Sequence, residues 1–268
     1  YRIEETTSTN DDAKRPEYGH DDIIWAERQT AGRGQRGHTW ISRAEESLTF
    51  SHILTPTFLP VAEQFRLVEL VALALTDSFD EFGIDTRIKW TNDIYVGDRK
   101  MVGILIEHSY SGPTLARTIL GTGINVNQTE FDPALPNPIS MAQAAGRRFD
   151  REEVLETYRR HAARRYTQLE RGEYAALEEE YRQRMYRLNG TRSAWPTARS
   201  SGPRSKGCAP RASCCCATTT GRSAATSSAR WNSSSRAATA ERPANGYRRI
   251  PHPEKSTGKY CPCGNNDY

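Results

Sequence analysis

Residues 30–40 read TAGRGQRGHTW, and the meaning of those glycines decides the fold. Gly32, Gly34 and Gly37 fit G-x-G-x-x-G, the turn that cradles a dinucleotide pyrophosphate. That reading needs a strand before the glycines and a helix after them, its N-terminus facing the phosphates. The strand is present: DIIWAE (22–27) is a short apolar run between polar residues. The helix is missing, because HTWISRAEESLTF (38–50) has no 3.6-residue apolar period and the next one opens at residue 62. The acidic residue expected about 20 positions downstream is also absent. No Lys-Ser or Lys-Thr follows the glycines, which excludes a P-loop. What remains is pliant backbone with two guanidinium groups, Arg33 and Arg36, ending on Trp40. Glycine lets such a segment fold over a ligand, and Arg offers planar donors to carboxylate or phosphate. Taken alone, the loop reads equally well as solvated surface.

Outward from the loop, SLTFSHIL (47–54) reads as a second strand. AEQFRLVELVALALTDSFDEFG (62–83) is a helix whose apolar face carries Phe65, Val68, Leu70, Val71, Ala72, Leu75 and Phe79, with Gly83 as its stop. TRIKW (86–90), IYV (94–96), MVGILIEHSY (101–110) and ARTILGTGINVN (116–127) read as strands of one sheet, with GDRK (97–100) a tight turn between two of them. Residues 150–172 form an amphipathic helix with Asp150 as N-cap and Glu153 placed for a capping box, and 173–189 form another helix. The mixed order of strands and helices predicts an α+β or α/β layer fold.

Composition divides the chain near residue 192. Of 37 Lys+Arg and 33 Asp+Glu, residues 1–192 hold 25 and 30, a net −5, and residues 193–268 hold the remainder, a net +9. The basic pI therefore does not mark residues 1–192 as a nucleic-acid binder. No 18-residue apolar run occurs, so no membrane span is expected. The charged start YRIEETTSTNDDAK shows no secretory signal, and a cytoplasmic location is expected. From Ser193 onward Ile250 is the only residue among Val, Ile, Leu, Met and Phe, too little apolar surface to offset chain entropy. All six cysteines lie there: Cys208, Cys214, Cys215, Cys216, Cys261 and Cys263. Three in a row suit neither zinc spacing nor disulfide geometry. CCCATTTG (214–221), with TGC for Cys and G at the free codon positions, reads one base earlier as an apolar strand and an acidic turn, Leu-Leu-Arg-Asp-Asp-Asp-Gly. We therefore expect a change of reading frame near residue 192, with 191–268 an aberrant, disordered tail in place of a small β domain.

Four stretches, in order, resemble the biotin protein ligase family. Ser8, Thr9 and Asn10 with Ala13 and Lys14 form the first, and QTAGRGQRGHTW (29–40) is similar to that family's Q-x-A-G-R-G-R-x-G-R-x-W. KWTNDIYV (89–96) is similar to K-W-P-N-D-[IL]-Y-V, and DRKMVGILIE (98–107) with GTGINVN (121–127) completes the set. Gln35 and His38 stand where the family carries Arg, and Thr91 stands where it carries Pro. The resemblance covers about residues 6–130. It implies a class II aminoacyl-tRNA synthetase-like catalytic domain over residues 1–190, with a mixed, mostly antiparallel sheet flanked by helices, and the family's C-terminal SH3-like barrel lost.

The resemblance also implies a chemistry: biotin and ATP give biotinyl-AMP, which acylates a lysine of a biotin carboxyl carrier protein of acetyl-CoA or propionyl-CoA carboxylase. It places Ser8, Thr9, Asn10, Gln29, Arg33, Gly34, Gln35 and Lys100 at biotin, with Lys100, Arg33 and Arg36 as the catalytic cations. It places Trp40, Lys89, Asn92, Asp93, Gly121 and Asn125 at ATP, Asp93 at Mg²⁺, and Gly103, Gly121 and Gly123 where ligand approaches backbone. A homodimer is kept open, and neither DNA nor membrane is an expected partner. The rivals are a lipoate-type ligase, the remnant of a ligase/repressor that lost a helix-turn-helix, and an inactive frameshifted product.

Overall fold

The computed structural model describes residues 1–188, with the side chain of Arg36 excepted. The expectations for the tail, 191–268, lie outside the described residues; the helix expected at 173–189 stops early, at Gln183, with Arg184 as its C-cap and 184–188 in turns and a bridge. The chain opens with β1 (Arg2–Thr6), α1 (Thr9–Asp12), β2 (Ile23–Gln29) and β3 (Ser47–Leu54). It continues with α2 (Arg66–Glu81), β4 (Arg87–Lys89), β5 (Asp93–Val96), β6 (Arg99–Ser111) and β7 (Thr114–Asn125). It closes with α3 (Met141–Ala145), α4 (Arg151–Glu170) and α5 (Tyr174–Gln183). The seven strands form one sheet in the order β1-β2-β3-β7-β6-β5-β4. Every pairing is antiparallel except β1 with β2. The glycine segment thus leads into an antiparallel neighbour, β3, where a dinucleotide turn would lead into a helix and a parallel strand.

Strand alternation sorts the side chains onto two faces. Ile23, Trp25, Leu48, Phe50, Leu54, Leu120 and Ile124 join the large core with α2, α4 and α5. Their neighbours Ile24, Ile53 and Ile119 join Ala13 and Tyr18 in a smaller cluster on the other face, where α1 lies. β3, in the middle, is buried along its whole length because both faces are covered. Helix α2 is buried on nearly all sides from Glu69 to Phe79, since α4 and α5 cover the side turned away from the sheet. Phe65 and Val68 fall outside that core: Phe65 precedes the helix and meets Tyr181 edge-on. The helix ends at Gly83, left-handed at φ 76°, with Ile84 N–H returning to the Phe79 carbonyl at 2.9 Å.

Polar side chains cross-link the helical layer. Asp77 accepts from Arg165 Nε and Arg164 Nη2, both at 2.8 Å, and from Arg184 Nη2 at 3.1 Å, joining α2 to α4 and to the end of α5. His52 of β3 bridges Tyr158 of α4 and Asp21 at 3.1 Å each.

Two elements escape the periodicity reading. β1 is charged, RIEET, and is held by its neighbour's side chains: Arg2 Nε donates to Glu27 at 2.7 Å and the guanidinium lies over Trp25. α3 is short, but Ser140 and Gln143 close a capping box on it, a Ser-x-x-Gln signature open to sequence inspection. The box expected at Asp150 does not form as drawn. Asp150 caps α4 by accepting from Glu152 N–H at 2.8 Å, and Glu153 makes no return bond. The turn at Gly97–Asp98 joins β5 to β6 as expected.

Candidate functional site

The sheet face opposite α2 carries a cavity of about 380 Å³, and its floor is set by missing side chains. Gly103 of β6 and Gly123 of β7 are register partners. A Cβ on Gly123 would lie 2.2 Å from Trp40 Cε2, and one on Gly103 would lie 2.9 Å from Trp40 Cζ3. The indole therefore rests flat on this pair of glycines. One step along β7, a Cβ on Gly121 would lie 2.2 Å from Asn10 Oδ1, so the Asn10 carboxamide fills that notch. The glycines expected to admit a ligand thus first admit two of the protein's own side chains.

Around this floor the start of α1 and the end of β2 form one wall. Thr9 donates through its N–H at 2.8 Å and its hydroxyl at 3.2 Å to Gln29 Oε1, which leaves the Gln29 amide N–H groups to be offered. Ser51 donates to Asn10 Oδ1 at 2.6 Å. Ser8 stands at the N-cap position of α1, yet its hydroxyl makes no cap bond, so it stays available inside the site. Residues 33–40 arch over the floor, with a 3₁₀ turn at Gln35–Gly37. The opposite wall is Trp90–Asp93 with Lys100, whose ammonium lies 2.8 Å from Asp93 Oδ1.

The cavity gathers Ser8, Thr9, Asn10, Gln29, Arg33, Gly34, Gln35, Trp40, Asn92, Asp93, Lys100, Gly103, Gly121 and Gly123. Lys89 and Asn125 are not in its lining. Lys89 donates to Tyr95 OH at 3.0 Å and lies over that ring. Asn125 is buried and donates to the Ile139 carbonyl at 3.1 Å, a structural bond. The expectation for the Arg36 side chain lies outside the described residues. Arg33 lines the same cavity as Lys100, but each cation is held by its own carboxylates. Arg33 Nη2 lies 2.8 Å from Asp11 Oδ1 and 3.4 Å from Glu107 Oε2. Partial burial opposes ionisation of Asp11, but Lys14 and Arg33 outweigh it and keep the carboxyl below its ordinary range.

Residues that sequence reading passed over also line the cavity. Trp90 is 66 % exposed at the mouth. The Thr49 hydroxyl and Trp40 Nε1 are buried there without a protein hydrogen-bond partner. Buried polar atoms are usually paired, so these two await a partner that the folded chain does not supply. Nothing in the local sequence flags Thr49, because alternation in β3 has meaning only once the site's face is known. Among the described residues no group of three His, Cys, Asp or Glu side chains is gathered for a metal. Among the described residues no helix is long and apolar enough to cross a membrane.

The Biotin/lipoate A/B protein ligase family matches residues 1–125. The bifunctional ligase/repressor BirA of Bacillus subtilis is 38% identical over 138 residues, which are 50% of this chain and 42% of that protein. The chain thus spans under half the length of that relative. A biotin–[acetyl-CoA-carboxylase] ligase of Paracoccus denitrificans is 32% identical over 192 residues, 68% of this chain and 79% of that one. A biotin protein ligase of Aquifex aeolicus, solved with biotin and ATP, superposes at a TM-score of 0.62 and 26% identity over 69% of this chain and 77% of that chain. At that identity and coverage of the Paracoccus relative, the chain belongs to the biotin protein ligase family.

Proposed function

We propose that this chain joins biotin to a lysine of an acceptor protein through biotinyl-5′-AMP. One observation carries the reading. A single cavity is lined at one end by Ser8, Thr9, Asn10 and Gln29 and at the other by Asn92, Asp93 and Lys100, with the Arg33 loop above. Hydroxyl and amide groups both donate and accept, which suits a cyclic urea, and the cations suit an acid and a phosphate. In the first step a biotin carboxylate oxygen bonds to the α-phosphorus of ATP and the bond to pyrophosphate breaks. In the second the carrier's neutral lysine amine bonds to the acyl carbon, AMP leaves with the bonding electrons of the anhydride, and the amine releases a proton. Neither step needs a nucleophile from the protein, so positioning and charge neutralisation account for the rate.

In this reading Lys100 bridges the biotin carboxylate and the α-phosphate, exchanging Asp93 for the substrates' oxygens, and Trp40 and Asn92 are assigned to the nucleotide; their shared lining of one cavity supports it. Mg²⁺ typically takes one or two carboxylates together with substrate phosphates and water. Asp93 fits that limited role, which makes the ion largely nucleotide-borne, and its chemistry would be to neutralise phosphate charge. The acceptor we propose is a carboxylase's biotin carboxyl carrier protein, in keeping with the name of the Paracoccus relative. Intact-mass analysis of a carrier domain incubated with the purified chain, ATP, biotin and lipoate tests this. A single biotin adduct is expected; a lipoyl adduct, or no adduct at all, refutes it.

A further inference from the structure

We infer that Glu107 is a positioning residue for the biotin end of the cavity, one carboxylate holding the Asn10 carboxamide and the Arg33 guanidinium in place together. The inference rests on the ligase reading above. Glu107 lies on β6 and stands outside the cavity lining. Its Oε2 accepts from Asn10 Nδ2 at 2.7 Å and lies 3.4 Å from Arg33 Nη2, while its Oε1 accepts from Lys14 Nζ at 3.1 Å. Three donors from two separate segments, the 10–14 stretch around α1 and the glycine loop, thus meet on one side chain.

The consequence for Asn10 is rotational. Its Oδ1 accepts from Ser51 at 2.6 Å and its Nδ2 is taken by Glu107, so both ends of the amide are fixed. The group sits in the Gly121 notch, where rotation meets backbone. Without Glu107 the amide nitrogen keeps only a long 3.5 Å contact to the Leu105 carbonyl. The consequence for Arg33 is a tether from floor to loop, shared with Asp11 at 2.8 Å. The Arg33 and Glu107 side chains are 43% and 31% exposed, and ion pairs this open add little to stability. What Glu107 supplies is geometry: it fixes which Asn10 atoms the cavity presents and how far the loop stands from them.

Full-length Glu107→Ala and Glu107→Gln separate this from a structural role. Gln still accepts from Asn10 but carries no charge for Arg33 or Lys14. Glu107→Ala is expected to weaken biotin binding, as calorimetric Kd and as KM, by about tenfold, the scale of a lost charge-assisted hydrogen bond. Its kcat and its KM for ATP are expected within about twofold of the parent, the pattern of lost ground-state binding. Glu107→Gln should fall between Ala and parent, and both variants should unfold within about 2 °C of the parent. Parental biotin affinity in Glu107→Ala overturns the inference. So does a parallel loss of biotin affinity, ATP affinity and unfolding temperature, or a Gln variant no better than Ala. A parent that binds no biotin removes the ligase reading itself, whereas an active parent with unaffected variants removes this inference alone.

Discussion

Lys100 reaches Asp93 at 2.8 Å across the turn between β5 and β6, and it is the residue on which the proposed adenylation depends most. Lys100→Met keeps the aliphatic stem and removes the charge. It should lower kcat/KM for biotinyl-AMP formation by about 10²–10³, the loss seen when a donor aimed at developing charge is deleted. Pyrophosphate release assays read this directly, and a loss under tenfold would remove Lys100 from its assigned place. Gln35 lies in the loop's 3₁₀ turn, at the cavity, at the position where the motif it resembles has Arg. A neutral amide leaves one fewer cation over the anhydride. Gln35→Arg should therefore slow the escape of biotinyl-AMP from the enzyme, measured by filter retention of the labelled adenylate. Equal escape rates would show that this position does not gate retention.

At the scale of elements, β6 and β7 make the floor because two of their paired residues are glycines. Gly123→Ala puts a methyl where the Trp40 indole now rests, 2.2 Å from Cε2. Either the indole lifts or the sheet strains, and overpacking of this kind costs about 1–3 kcal/mol. The expected result is a KM for ATP raised at least about tenfold, with far-ultraviolet dichroism unchanged; a parental KM would mean that Trp40 does not serve the nucleotide. On the other face, Asp77 is 6% exposed and forms ion pairs with Arg165 and Arg164 of α4 and with Arg184 at the end of α5. Removing one member of a buried ion network leaves uncompensated charge, so Asp77→Ala should lose about 3–5 kcal/mol of stability in urea titration. Partial exposure of Arg164 and Arg184 places the expectation at the lower end of that range.

For the molecule as a whole, the sheet is a partition. Its helical face supplies the large apolar core, and its other face carries, beside the small cluster of Ile24, Ile53 and Ile119, the polar side chains and glycines that form the site. Asp21 helps fasten the partition through His52 and Arg159. Burial opposes ionisation of Asp21, but His52 and Arg159 together outweigh it and bring its pKa from 3.8 to about 2. A carboxyl depressed in the folded state contributes stability that is fully present above its unfolded pKa, and that contribution disappears as pH falls through the folded one. Stability should therefore fall between about pH 4 and pH 2 through this group. Asp21→Asn, which tolerates the same left-handed backbone at φ 65°, should make that acid limb shallower. Unfolding free energies measured across that window check it, and an unchanged slope would assign the limb to other carboxylates.

The sequence by itself determined the layer architecture, most element positions and the failure of the dinucleotide reading, because side-chain period is a local property and each segment carries its own. It also determined where most of the cavity's lining would come from, since the glycine loop, the Ser8–Asn10 turn and the Lys100 strand are contiguous motifs. Tertiary structure alone decided the parallel placement of the charged strand β1, whose stability lies in Arg2 meeting Glu27 and Trp25. It alone turned Asn125 toward Ile139 and Lys89 toward Tyr95, and it brought Thr49, Asp11 and Glu107 to the site. Period tells which residues share a face. Which partner a polar side chain then takes depends on strand register and on segments far apart in the chain, 97 residues in the case of Asn10 and Glu107, and no local pattern encodes that distance.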